Sequence, residues 1–366
     1  MNKSFVVSFI FLASVSFVSG QTPAQPDVIP PSPQAASLGK YAQIPVNYNT
    51  GTPQIDIPLH TIAVNDMQLP ISLSYHASGI KVEEIASWVG LGWNLNANGA
   101  ITRVMRGKPD ESTNGYFNRG QWDTWQTMKT WATGPPVLGV VDQASQKHDF
   151  QFAVASGEKD LQPDVFYFNF AGYSGRIYFD IDKKPVIIPF QDLKIDHPFA
   201  AGKTEWVIST PDGLEFVFKN SDAEWTTPLG DGSYSPPFYS TWYVSEIRSV
   251  KQPGFIRFTY TSLTLSGIET TPNAGIVVSR TPPNLTCELD PPYPSDMGSS
   301  EYSIITKYLE QIQFPDGSIF FSSSNDRQDS YGSVTYNGRK LNGIAVMSGT
   351  IPNVKTVKTF QFTYDY

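Results

Sequence analysis

The sequence predicts an all-β protein of twisted antiparallel sheets built from consecutive hairpins, on grounds of composition, turn signals and alternating apolar runs. Aromatic residues make up 13% of the chain and charged residues 16%, with 29 Pro and 28 Gly, a balance that suits short strands and tight turns better than long helices. The tripeptide Pro-Asp-Gly stands twice between apolar runs, at 211–213 and 315–317. Proline sets φ at the first turn position, aspartate tolerates the second, and glycine supplies the positive φ of a three-residue hairpin with a bulge.

Lys3 followed by the apolar run FVVSFIFLASVSFV, residues 5–18, predicts a signal peptide over residues 1–20, too short to span a bilayer. Val18-Ser19-Gly20 places small residues where signal peptidase reads, so cleavage is expected before Gln21 and the product is expected to be secreted or held in the cell envelope. A buried N-terminal helix is the alternative. Residues 21–36 (QTPAQPDVIPPSPQAA) read as a Pro-rich linker, and a β-rich domain is expected over residues 37–366.

Gln54–Ile62 and Leu69–Tyr75 alternate apolar with polar residues. That puts Ile55, Ile57 and Leu59, then Leu69, Ile71, Leu73 and Tyr75, on one face of two half-buried strands, with a turn at Val64-Asn65-Asp66-Met67. Trp122, Trp125 and Met128 recur at three-residue spacing and predict a small helical insertion at about residues 112–135. Three hairpins follow: VFYFNF and RIYFDID around the loop 171–175, TEWVIST and LEFVFKN around 211–213, and YLEQIQF and SIFFSSS around 315–317. Thr241–Val250, Phe255–Ser262 and Thr356–Tyr366 are further predicted strands, while residues 222–237 and 270–300 read as long exposed loops.

The segment from Leu69 to Gly107 carries more than generic β pattern. It holds Leu73-Ser74-Tyr75, Gly79, Val89-Gly90-Leu91-Gly92-Trp93 and Gly99-Ala100-Ile101-Thr102-Arg103, preceded by Ala35–Tyr41 (AASLGKY) and Tyr48–Pro53 (YNTGTP). Together these resemble the segment that opens the shell-forming region of bacterial Rhs/YD-repeat proteins, in particular the long secreted ones of Bacteroidetes, and the SpvB-like part of toxin-complex proteins. The resemblance is close over about residues 33–107 and diffuse beyond. It implies an Rhs/YD-shell-like fold in which Gly79, Gly90, Gly92, Trp93, Gly99 and Arg103 are structural. Relatives in that family continue into YD repeats, a core segment and often a toxin or effector. Here Tyr336-Asn337-Gly338-Arg339 is only a loose echo of a repeat, so a truncated product, a fragment or a split member is expected. The implied partner is the remainder of such a shell or another β-rich polypeptide.

Catalytic patterns are weak. His60, His76, His148 and His197 lack the close spacing of zinc hydrolases, and nothing supplies Cys287 with a base. Glu83-Glu84 and Asp180-Ile181-Asp182 offer carboxylates for glycoside hydrolysis, but such pairs abound on solvated faces. No phosphate loop or dinucleotide fingerprint occurs, and no catalytic residue, cofactor or metal is expected. The formal charge of −8 argues against nucleic acid, and no run after the leader is long enough for a membrane helix. Three readings follow: a non-enzymatic structural or interaction module, a cell-surface protein binding glycan through Trp88, Trp93 and a platform of Trp122, Trp125 and Trp131, and a glycoside hydrolase.

Overall fold

The computed structural model describes residues 51–80, 86–118, 152–153, 159–180, 182–229, 236–270, 299–329, 338–349 and 354–366, all within the unit Asn47–Tyr366. It is built of antiparallel strands, as the alternation and turn signals predict. The leader, the linker and most of the expected helical insertion lie outside these residues. The part of that insertion inside them, 112–118, consists of turns rather than helix.

A three-stranded sheet comes first: β1 (Gln54–Val64), β2 (Met67–His76) and β3 (Trp93–Asn96), in that order. Leu69, Ile71 and Leu73 are buried on one face of β2, as their spacing requires. On β1 a bulge between Pro58 and His60 shifts the alternation, so the core face passes from odd positions to Ile62 and Val64, with Leu59 buried at the bulge; Ile57, opposite the buried Leu73, lies on the core face but is 43% exposed. One extra residue exchanges the two faces of a strand.

The thirteen remaining strands form one sheet. They are β4 (Ala100–Val104), β5 (Val165–Phe170), β6 (Tyr173–Phe179), β7 (Pro185–Ile188), β8 (Lys194–Asp196), β9 (Glu205–Ser209), β10 (Leu214–Pro228), β11 (Phe238–Ser249), β12 (Phe255–Thr270), β13 (Ser299–Phe314), β14 (Gly317–Ser324), β15 (Lys340–Ser348) and β16 (Lys355–Gln361). The path runs β16-β15-β14-β13-β10-β11-β4-β5-β6-β7, with β12 joining β11 to β13, and β9 and β8 branching from β10.

Two turns are tighter than expected. β5 and β6 are joined by Ala171-Gly172 alone, both at positive φ (47° and 83°), which matches the right-handed strand twist. Pro211-Asp212-Gly213 does form the three-residue loop, with Gly213 at φ 91°. In Pro315-Asp316-Gly317, by contrast, Gly317 already pairs with Phe314. A β-carbon there would lie 2.2 Å from the Met347 carbonyl, so this glycine serves close strand approach. The loop expected at 222–237 is shortened because β10 stays paired, to Thr226 against β11 and to Pro228 against β13.

Those long strands close a ring: β10 pairs with β11, β11 with β12, β12 with β13, and β13 with β10. Polar side chains join the two hairpins across its middle. Glu224 accepts hydrogen bonds from Tyr243 Oη (3.1 Å) and Thr306 Oγ1, and Tyr260 Oη donates to the Val244 carbonyl (2.7 Å). Burial pushes both phenols well above their ordinary pKa, so they stay protonated and can donate.

Around β11 the core has two halves. In one, β4–β7 pack against β8–β10 through rings: Phe170 lies 4.7 Å from Phe216, and Phe166 lies 5.3 Å from Trp206, which meets Trp242 at 5.7 Å. In the other, the β1–β3 sheet joins β12–β15 through a mainly aliphatic core that includes Ile62, Met67, Ile71, Ile256, Ile312, Ile319, Ile344 and Val346. The β1–β2 turn is tied to the β11–β12 turn by Asn65 Nδ2 donating to the Pro253 carbonyl (2.6 Å) and Ser249 Oγ donating to Asp66 (2.7 Å).

Candidate functional site

The residues singled out by the shell-opening resemblance occupy three places. Gly79, Gly90 and Gly92 have φ of 106°, 115° and 74°, the left-handed region open to glycine. Gly99 has no such φ, but a β-carbon on it would meet Phe170 Cβ at 2.3 Å, a contact that only backbone movement could relieve. Trp93 begins β3 and lies 5.1 Å from the Tyr75 ring, while Trp88 packs on Tyr308 at 5.8 Å. Both indoles are partly buried against the core.

Residues 87–93 form a turn stapled by Ser87, whose Oγ donates to the Trp93 carbonyl (2.6 Å) and accepts from the Val89 amide (3.1 Å). This turn is tied to distant chain: the Leu341 amide donates to the Trp88 carbonyl at 2.7 Å. Tyr364 Oη donates to the Leu341 carbonyl (2.6 Å) and lies 3.2 Å from that of Trp88.

Arg103 shares the inward face of β4 with Ile101 and is buried among Phe166, Phe199 and Phe238, each ring centroid within 6 Å of its guanidinium. A buried cation needs partners, and it has two. Its Nε donates to Asp164 Oδ2 (2.7 Å), and its two terminal nitrogens form a fork on Glu111 at 2.9 and 2.7 Å. Asp164 also accepts from the Arg106 and Asp110 amides, and its own amide donates back to Asp110 Oδ1 (3.0 Å). Burial disfavours the Arg103 charge, but hydrogen bonds and charge from Glu111 and Asp164 outweigh that and the net shift is upward. Asp110 is pushed up to about 8 by burial and then by the neighbouring Asp164 charge, and burial also raises Asp164.

Glu111 carries this buried cluster to the surface, where its side chain is 39% exposed. There it helps line a cavity of about 280 Å³ whose walls include Phe117, Phe199, Tyr239 and Trp242, with Lys183 at its edge. A larger, open groove of about 620 Å³ lies between β13, β14 and β15, among Phe314, Phe320, Met347 and Val354.

The other sequence candidates fall apart in space. Asp180 accepts from the Asp182 and Lys184 amides and shapes a surface turn, and Asp182 pairs with Lys184 in the open. His197 is buried against Phe179 and Trp206, and burial lowers its pKa. His76 bonds Ser78 at an exposed strand end. Trp122, Trp125, Trp131, Glu83, Glu84, His148 and Cys287 lie outside the described residues. Among the described residues, no group of three His, Cys, Asp or Glu could hold a metal ion, and no helix is long and apolar enough to cross a membrane.

Sequence reasoning missed Asp110, Glu111 and Asp164. The signal that could have found them is parity: Arg103 stands two residues from Ile101 in a strand, so it must face inward and be neutralised.

The edges of the large sheet differ in kind. β7 is four residues long, begins with Pro185 and is followed by Pro189, which blunts it. β16 is seven residues long, contains no proline, is exposed at six of them, and among the described residues pairs only with β15. No protein-family model, curated protein or solved structure matches this chain.

Proposed function

We propose that the protein is an exported, non-enzymatic structural and interaction module, the N-terminal part of an Rhs/YD-repeat-type shell. In this reading it acts through a strand edge rather than through chemistry. The observation that carries it is β16, whose outer row of amides and carbonyls is a template for one more strand. Lysines on an edge usually repel such pairing, but Lys358 is turned back to donate to the Leu59 carbonyl (3.1 Å), leaving Lys355 as the edge's other cation. The shifted acids and phenols also fit a scaffold. Asp110 and Asp164 are buried beside the sheet and Tyr243 and Tyr260 lie within it, all held by hydrogen bonds.

The test is to recover the protein with its bound material from the cells that make it and to follow amide hydrogen exchange over residues 355–361. The reading requires a β-rich polypeptide that slows exchange at outward β16 amides in the complex and cross-links to Lys355. A monomer whose β16 exchange is unchanged by anything that co-purifies with it would reject the reading.

A further inference from the structure

We propose that the cavity beside Glu111 is a binding site for a neutral pyranose, independently of what pairs with β16. The cavity holds about 280 Å³, near the lower end of the ~300–1,000 Å³ usual for small-ligand pockets and enough for one sugar ring. Phe117, Phe199 and Tyr239, which are partly exposed, are rings that can take the C–H face of a pyranose, and the fully buried Trp242 backs them.

The polar groups among these rings are fixed from behind. Each Glu111 oxygen accepts one Arg103 N–H, at 2.9 and 2.7 Å, and keeps a lone pair. Asn220 Oδ1 accepts from Trp242 Nε1 (2.8 Å), so its Nδ2 is left as donor. Asn118 Nδ2 donates to the Glu111 and Ser112 carbonyls at 2.7 and 3.1 Å, so its Oδ1 is left as acceptor. Lys183 holds its ammonium 5.3 Å from the Phe117 ring centre and has no ion-pair partner among the described residues. Two acceptors and two donors therefore surround the rings, oriented before any ligand arrives.

Charge selects against ionic ligands. Arg103 pairs with Glu111 and Asp164, and Lys183 lines the same cavity, so the two cations and two carboxylates leave the cluster close to neutral. A cationic ligand in this aromatic setting would have to displace Lys183 from Phe117, and an anion would meet Glu111. Hydroxyl groups both donate and accept, and suit this mixed set without bringing charge.

The test is saturation-transfer NMR on the full chain with the methyl glycosides of glucose, galactose, mannose and N-acetylglucosamine, and with tetramethylammonium as the cationic probe. At least one glycoside is expected to bind with a Kd on the order of 1 mM. Tyr239→Leu removes a ring and Lys183→Met removes a donor while keeping the stem over Phe117. Weakening of about tenfold in either folded variant supports the site. No saturable transfer from any glycoside, binding that neither variant changes, or binding of tetramethylammonium alone overturns it.

Discussion

The two halves of the core solve the same packing problem with different materials. The half formed by β4–β10 is built of rings and holds a buried arginine with two carboxylates, whereas the half formed by β1–β3 and β12–β16 is largely aliphatic. In the aliphatic half, Arg257 with Glu246 and Lys340 with Asp326 each have one partner more than half exposed, and Arg327, although its side chain is only 5% exposed, pairs with Asp329 outside the apolar cluster. Large rings leave gaps that aliphatic chains fill more easily. In the aromatic half a flat guanidinium occupies such a place, stacking on rings while its nitrogens are satisfied at the edges. The consequence is a difference in tolerance: a charge change should be severe at Arg103 and nearly silent at an exposed pair such as Arg257 with Glu246.

The largest expected effect is therefore Arg103→Ala, which leaves Asp164 buried without its cation and should cost about 3–5 kcal/mol in urea unfolding. A loss below about 1 kcal/mol would remove the distinction between the halves. Gly99→Ala comes next, at about 1–3 kcal/mol, because the new methyl group meets Phe170 Cβ.

A pH series tests the carboxylates. Asp110 has its pKa raised to about 8 from 3.8, so the folded chain binds an extra proton between those values, and this contribution to stability is lost as pH rises through about 8. Asp110→Asn should remove that decline, on the order of 1 kcal/mol per pH unit within the window, and a variant with the parent's slope would exclude Asp110 as its source. His197 acts in the opposite direction. Its folded pKa lies below 6.5, so the unfolded chain takes the proton first and stability falls as pH drops through that value. The smallest effect belongs to Arg257→Ala, an exposed pair of the aliphatic half, expected within about 1 kcal/mol of the parent in the same unfolding experiment.

The same contrast governs what could be read from the sequence. Leu69, Ile71 and Leu73 announce their face because every second residue is apolar and buried. The bulge at Leu59 is invisible to periodicity, so the passage of the core face from odd positions to Ile62 and Val64 could not be read there. Two copies of Pro-Asp-Gly give different turns, since Gly213 is free to take φ 91° while Gly317 is held by pairing with Phe314. Tertiary pairing overrode the local signal there, as it did for Tyr173–Gly175 and for residues 222–228. The cavity was illegible for another reason. Glu111, Lys183, Phe199 and Tyr239 come from four separate stretches, and a charged residue carries no mark that it belongs beside buried rings.

The tie between Trp88 and Tyr364 spans 276 positions. A ribosome delivers the chain from its N-terminus, so the turn at 87–93 emerges long before the residues that lock it. Until β13 and β14 have emerged the Trp88 indole lacks Tyr308 and Phe321, and until β15 and Tyr364 follow, the Trp88 carbonyl lacks the Leu341 amide and the Tyr364 hydroxyl. Folding around this turn must then be completed late, with slow non-local closure. The turn at 87–93 is therefore the first part of this tie to be made and the last to be secured.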